Sequence, residues 1–302
     1  LNTIERQYNK ITLKGARWLL LFVFYLQFLI PVLLEAKWSK YMQEPVPDYL
    51  VMLVIQLFAV FVPSIVFIYL NGADYGETLK LSRLTLPQGI MCAILGITAQ
   101  SLASVLNVPV LFYIQQKSGM LPGAAVTAPV NITQLLWGFL FVALLPAIFE
   151  ELLMRGIVLS ATQENGYRAS LIIGGLYFAL IHNQAESIVG HFFLGFLLCY
   201  IVWMTQSIWG GVIAHFSFNA FGMTLDYIIK TKSEHWLGVD FFHHTVTVVS
   251  IILFFLFWGT INRKRIRRYK SRHLVRQLIF SVFNFPMILV VLGYIMFQLI
   301  RY

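Results

Sequence analysis

The chain has 302 residues, of which 59% are hydrophobic and only 12% charged, with a mean hydropathy of +0.75. Soluble domains carry roughly 25% charged residues, so this composition excludes a freely soluble globular protein and makes the bilayer the solvent. The formal net charge of +9 sits mostly in the gaps between apolar runs, where it acts as a topology signal rather than a nucleic-acid surface.

A spanning helix needs roughly 20 apolar residues. In chain order, the expected spans are 18–34, 49–70, 89–114, 134–160, 169–187, 188–205, 207–228, 243–261 and 278–300. The first follows a polar, basic stretch without a small-residue cleavage site and reads as a retained span. Residues 118–133 are rich in Gly, Pro and small side chains and predict an irregular loop. The stretch 187–225 has no Asp, Glu, Lys or Arg. At about 1.5 Å per residue it is too long for one crossing, so Thr205-Gln206-Ser207 is the expected turn within it. Cys92 and Cys199 both fall inside apolar runs, which argues against a disulfide or a metal-binding cluster. The expected fold is an all-α, polytopic integral membrane helix bundle of eight or nine transmembrane helices. Three N-terminal spans fill residues 1–130, a core fills 131–230, and C-terminal helices with a basic loop fill 231–302.

With the N-terminus inside, the inner loops hold Arg6, Lys10, Lys14, Arg17, Lys80, Arg83, Arg155, Arg168 and the eight basic residues from Arg263 to Arg276. The outer loops hold Lys37, Lys40, Lys117, Lys230, Lys232 and Arg301. This bias predicts a cytoplasmic N-terminus. The run Arg263–Arg276 reads as a positive-inside anchor, or more specifically as a patch for anionic lipid headgroups.

Ionisable groups at a helix centre cost about 2.5–3.5 kcal/mol each on insertion scales. From residue 134 onward the spans keep Glu150, Glu151, Arg155, His182, His191 and His215, with Asn219 and Asp226 besides. Measured from the expected inner ends, Glu150 lies about 15 Å deep, His182 about 20 Å, His215 about 12 Å and Asn219 about 18 Å. Polar groups on three separate helices thus reach a similar level. Glu151 and Arg155 are spaced i,i+4 and can pair on one face. Glu150 lies about 100° round the helix, free to face another neighbour. His215 and Asn219 are also i,i+4 and point to one side, a geometry suited to two donors aimed at one oxygen. A hydrolase needs a base to deprotonate water and donors for the developing oxyanion. Glu150 with His182 can supply the first, and His215 with Asn219 the second. His191 has no motif partner and reads as a packing or supporting group.

These residues also form a recognisable set. EELLMR (Glu150 to Arg155) resembles the EExxxR motif of the CAAX prenyl endopeptidase and bacteriocin-processing family (CPBP, or Abi). FALIH (Phe178 to His182) resembles its FxxxH motif, and HFSFN (His215 to Asn219) its HxxxN motif. The resemblance covers residues 134–222. It implies an intramembrane endopeptidase in which Glu150 activates water with the help of His182. His215 and Asn219 form the oxyanion hole, and Glu151 and Arg155 support the site. It implies no cofactor and no metal. The expected partners are a peptide or lipidated protein substrate and membrane lipids, with no nucleic acid, in what is expected to be a bacterial cell membrane. Three other readings stand beside it. The first is a zinc protease on the same side chains, although HExxH is absent. The second is a non-catalytic scaffold or bacteriocin-immunity protein of the same fold. The third is a transporter using the polar cluster as an ion site, although no inverted repeat is visible.

Overall fold

The computed structural model describes residues 9–38, 40–41, 47–119, 127–232, 244–256 and 274–301. Among these, every regular element is helical: α1 (Leu13–Trp38), α2 (Asp48–Leu70), α3 (Tyr75–Leu79), α4 (Leu86–Ser118) and α5 (Ile132–Asn165), then α6 (Tyr167–His182), α7 (Ile188–Thr205), α8 (Ile208–Lys232), α9 (His244–Leu256), α10 (Leu274–Val282) and α11 (Phe285–Arg301). With no water in the bilayer core to satisfy backbone groups, a lipid-exposed apolar chain must bond them within each segment, and helices do that.

Six of these helices are long and apolar enough to cross a membrane, or seven if α10 and α11 are counted as one bent span. The expected count of eight or nine is therefore not reached on length. Helices α6 and α9 are apolar but shorter. The run expected as one span at 278–300 is instead two helices meeting at 64°. Its cause is local. Pro286, in the first turn of α11, has no backbone N–H to give the carbonyl of Val282, so α10 cannot run on through it. Asn284 then starts the new helix by accepting from the Met287 N–H at 3.2 Å. Helix α6 also stops short of 187, because Asn183 takes a left-handed conformation at φ 49°. The expected turn after Thr205 is present, with Gln206 left-handed at φ 53°. Most of the basic run 263–276, and part of the loop 118–133, lie outside the described residues.

Three π-helical turns interrupt the long helices: Ile55–Phe61 in α2, and Phe139–Leu144 and Leu152–Val158 in α5. Two are followed at once by proline, Pro63 and Pro146. Proline cannot bond the carbonyl four residues back, and a wider turn redistributes the bonds. π-Turns also recur at functional sites, and the two in α5 bracket Glu150 and Glu151.

The helix ends sort into two faces. At one, Lys80 Nζ donates to Ser160 Oγ at 2.8 Å, Ile208 N–H donates to Lys80 O at 3.0 Å, and Asn9 Nδ2 donates to Asn71 O at 3.1 Å. Lys10, Lys14, Arg17, Lys80, Arg83, Arg168 and Arg276 fall at or near this end, which is termed the basic face below. At the other, Tyr49 OH donates to Gln134 O at 3.3 Å and Thr127 Oγ1 to Asp48 Oδ2 at 2.9 Å. Helix α11 runs parallel to α1: Phe285 meets Trp18 near the basic face, and Phe297 stacks on Phe28 at 3.5 Å farther along. The core is densest where α6 and α7 cross. A side chain on Gly195 would strike Gly175 Cα and Phe178, so the pair of glycines permits backbone contact, as small residues do in membrane helix interfaces.

Candidate functional site

The EExxxR stretch lies in α5 between two π-turns, and every residue from Glu150 to Leu159 is buried. The two glutamates face different neighbours, as their 100° separation requires. Glu151 and Arg155 are both 0% exposed. Arg155 Nη1 donates to Glu151 Oε1 at 2.7 Å, and Nη2 donates to the Gly195 carbonyl at 3.1 Å. The guanidinium also lies over the Phe178 ring at 4.8 Å. A buried cation is tolerable only with such partners. Glu151 has a second bond: His215 Nδ1 lies 3.0 Å from the same Oε1. That oxygen already accepts from Arg155, and with Oε1 as the acceptor here too, Nδ1 donates. The pair expected to be plain support is thus an Arg155–Glu151–His215 chain that fixes one imidazole. Gly211 makes room for it, since a Cβ there would meet Glu151 Oε2.

Glu150 faces the other way. Its Oε1 accepts from Gln56 Nε2 at 2.7 Å, and its Oε2 lies 3.4 Å from His182 Nε2. The second contact has ion-pair distance without a hydrogen bond, and Glu150 Oε2 has no other protein partner. His182 Nδ1 is 2.7 Å from the Phe178 carbonyl one turn back. That carbonyl can only accept, so Nδ1 holds a proton and Nε2 faces the carboxylate. Between them, Glu150 Oε2 and His182 Nε2 can share one further proton or hold a water molecule by both. From the basic-face helix ends, Glu150 and His182 both lie about 22 Å along their helices.

Asn219 reaches the same region from α8. Its Nδ2 donates to the Val142 carbonyl at 3.1 Å. Pro146, four residues after Val142, offers that carbonyl no N–H, and the amide supplies one. The sequence predicts His215 and Asn219 as two donors aimed at one oxygen. Here each has one donor committed to protein, which leaves His215 Nε2 and the second amide hydrogen of Asn219 to act outward. For His215 that requires the doubly protonated ring.

Glu150, His182, His215 and Asn219 line one cavity of about 300 Å³, which Gln56, Met52, Gln100, Pro146, His191 and Asp226 also line. Phe178 is its hub. The ring sits 4.3 Å from His182 and 5.7 Å, edge-on, from His215. Two further partners emerge only from the fold. Gln56 is buried and bonds Glu150 directly, with its own Oε1 unpartnered. It was visible as a rare strongly polar residue in the run 50–70, but only folding reveals its partner. His191 stacks on His182 at 4.2 Å and 25°, with Nδ1 3.1 Å from Ser187 Oγ, so its supporting role has a definite object. Among the described residues, no group of three or more His, Cys, Asp or Glu side chains is spaced to hold a metal ion.

No curated protein and no solved structure matches the chain. A family model described as Rce1-like, type II CAAX prenyl endopeptidase, matches residues 132–221. That stretch holds both glutamates, Arg155, Phe178 and all three histidines and the asparagine of the cavity wall, while Gln56 comes from outside it. Residues 132–221 of this integral membrane protein are therefore similar to the Rce1-like type II CAAX prenyl endopeptidase family.

Proposed function

We propose that the protein is an intramembrane endopeptidase that hydrolyses a peptide bond with water activated by Glu150 and His182. The observation that carries this reading is the placement of the unpartnered Glu150 Oε2 3.4 Å from His182 Nε2 in a cavity. Water held between them loses a proton to the couple as its oxygen attacks the scissile carbonyl. The couple then returns the proton to the leaving amine, as a general base that becomes a general acid. The tetrahedral oxyanion is stabilised by His215 Nε2–H and the free Asn219 amide hydrogen, donors fixed before reaction by Glu151 and by the Val142 carbonyl. Gln56 holds the carboxylate in place, and His191 holds the His182 ring.

The test is cleavage by membranes carrying the wild-type chain, Glu150→Gln or His182→Ala. Substrates are found by comparing peptide termini in cells that express each. Both variants are expected to fold, to keep the wild-type elution profile in detergent and to lose the cleavage products. Cleavage retained by both variants rejects the mechanism. Residues 1–130 and 231–302 act in this reading as the frame around the core, and Gln56 reaches Glu150 from that frame.

A further inference from the structure

The cavity is not placed symmetrically in the membrane. Its lining residues, measured along their helices from the basic face, begin with His215 at about 10 Å and Asn219 and Leu194 at about 17 Å. They continue to Met223 at about 22 Å, and to Asp226 and Met52 at about 27 Å. A hydrocarbon core is about 30 Å thick, so the cavity starts short of the midplane at His215 and has most of its lining in the half remote from the basic face. Between it and the shallow pockets of the basic face, one of them lined by Lys80 and Ser160, lies a layer of buried side chains. Residues 150–159 of α5 are all buried, Tyr177 and Phe178 of α6 are 0% exposed, and α6 and α7 touch backbone to backbone at Gly175 and Gly195. The basic-face loops close this plug further, with Ser160 Oγ bonded to Thr78 O and to Lys80 Nζ, and Ser207 Oγ bonded to Ser82 O. Toward the other face the wall opens: Met52, Gln100, Gln184 and Gly222 are partly exposed and Asp226 is exposed.

We infer that the cavity is entered from the face opposite the basic one. Basic loops stay on the cytoplasmic side, so the mouth faces the outer side of the membrane. Building on the peptidase reading, the substrate is a peptide segment presented from that outer side. A lipid-modified C-terminus anchored in the cytoplasmic leaflet would meet the closed plug instead.

Site-directed thiol labelling tests this without a substrate. Cys92 and Cys199 are both 0% exposed, so the unaltered chain is the blank. Cysteines are placed at the mouth (Met52→Cys and Asp226→Cys), on the basic face (Arg83→Cys) and on the opposite face (Lys117→Cys). Intact cells are treated with a membrane-impermeant maleimide, then permeabilised and treated again. The expected result is labelling of Lys117→Cys, Met52→Cys and Asp226→Cys in intact cells, with Arg83→Cys reacting only after permeabilisation. Three results would overturn the inference: an inverted pattern for Lys117→Cys and Arg83→Cys, mouth cysteines that react only together with Arg83→Cys, or mouth cysteines that never react in the folded protein. The series is repeated on Glu150→Gln. If that variant still cleaves while the labelling pattern holds, the peptidase mechanism fails and the entry side stands.

Discussion

Glu151→Ala tests whether the buried chain of charges is a structural unit. In the native site Arg155 is fully buried with two acceptors, Glu151 Oε1 at 2.7 Å and Gly195 O at 3.1 Å, and its Nε has none. Removing the carboxylate leaves a buried guanidinium with one neutral acceptor and the Phe178 ring. Breaking a buried ion pair from one side costs about 3–5 kcal/mol, because the remaining charge is uncompensated. The cation–π contact that survives is worth only about 0.5–2 kcal/mol and is present before and after. Replacing both charges removes the orphan, so Glu151→Ala with Arg155→Met is expected to recover most of the loss. The assay is unfolding of the purified protein in mixed micelles, read for wild type, both single variants and the double variant as a cycle. A Glu151→Ala variant as stable as wild type, or a double variant no better than the single, refutes the reasoning. Activity separates the two functions of Glu151: the double variant is expected to stay inactive, since His215 has lost its fixed acceptor.

Other outcomes follow from the same geometry. Gln56→Leu removes a hydrogen bond to a charged acceptor, worth about 1.5–3 kcal/mol. If that bond holds the carboxylate for reaction, the rate constant of cleavage falls about 10–100-fold with little change in apparent substrate affinity, as measured by steady-state kinetics on a substrate found by terminal profiling. Lys80 is partly buried at the basic face, and burial is the main cause lowering its ammonium from the usual range to about 8. The unfolded chain then binds more protons than the folded one between pH 8 and the unfolded value of about 10.4, so stability rises with pH through that window. Lys80→Met is expected to abolish this increment, up to about 2–3 kcal/mol, in unfolding curves collected from pH 7 to 10. A variant with the wild-type pH dependence would remove Lys80 as its source.

Much of the site was legible before folding because helices have fixed periodicity. Glu151 and Arg155 four apart had to share a face, Glu150 one step away had to leave it, and His215 and Asn219 had to point together. Depth followed only coarsely from the rise per residue: Glu150 lies at about 22 Å rather than the expected ~15 Å, and His215 at about 10 Å, yet packing gathers both into one cavity. Gln56 escaped this logic because its partner lies 94 residues away in sequence. Asn219's acceptor depended on a carbonyl that Pro146 leaves without its normal donor, which becomes visible only when α8 is laid against α5. The bend before α11 had a local signal in Asn284-Phe285-Pro286, but hydropathy averaged over it.

What composition and spacing settled for this protein was its solvent, its helical class and which side chains could share a face, since these depend on transfer free energies and on one helix at a time. Which carboxylate meets which imidazole, and toward which membrane face the cavity widens, came only from packing. Those features depend on distances between helices far apart in sequence, and on where small residues such as Gly175, Gly195 and Gly211 let the helices close.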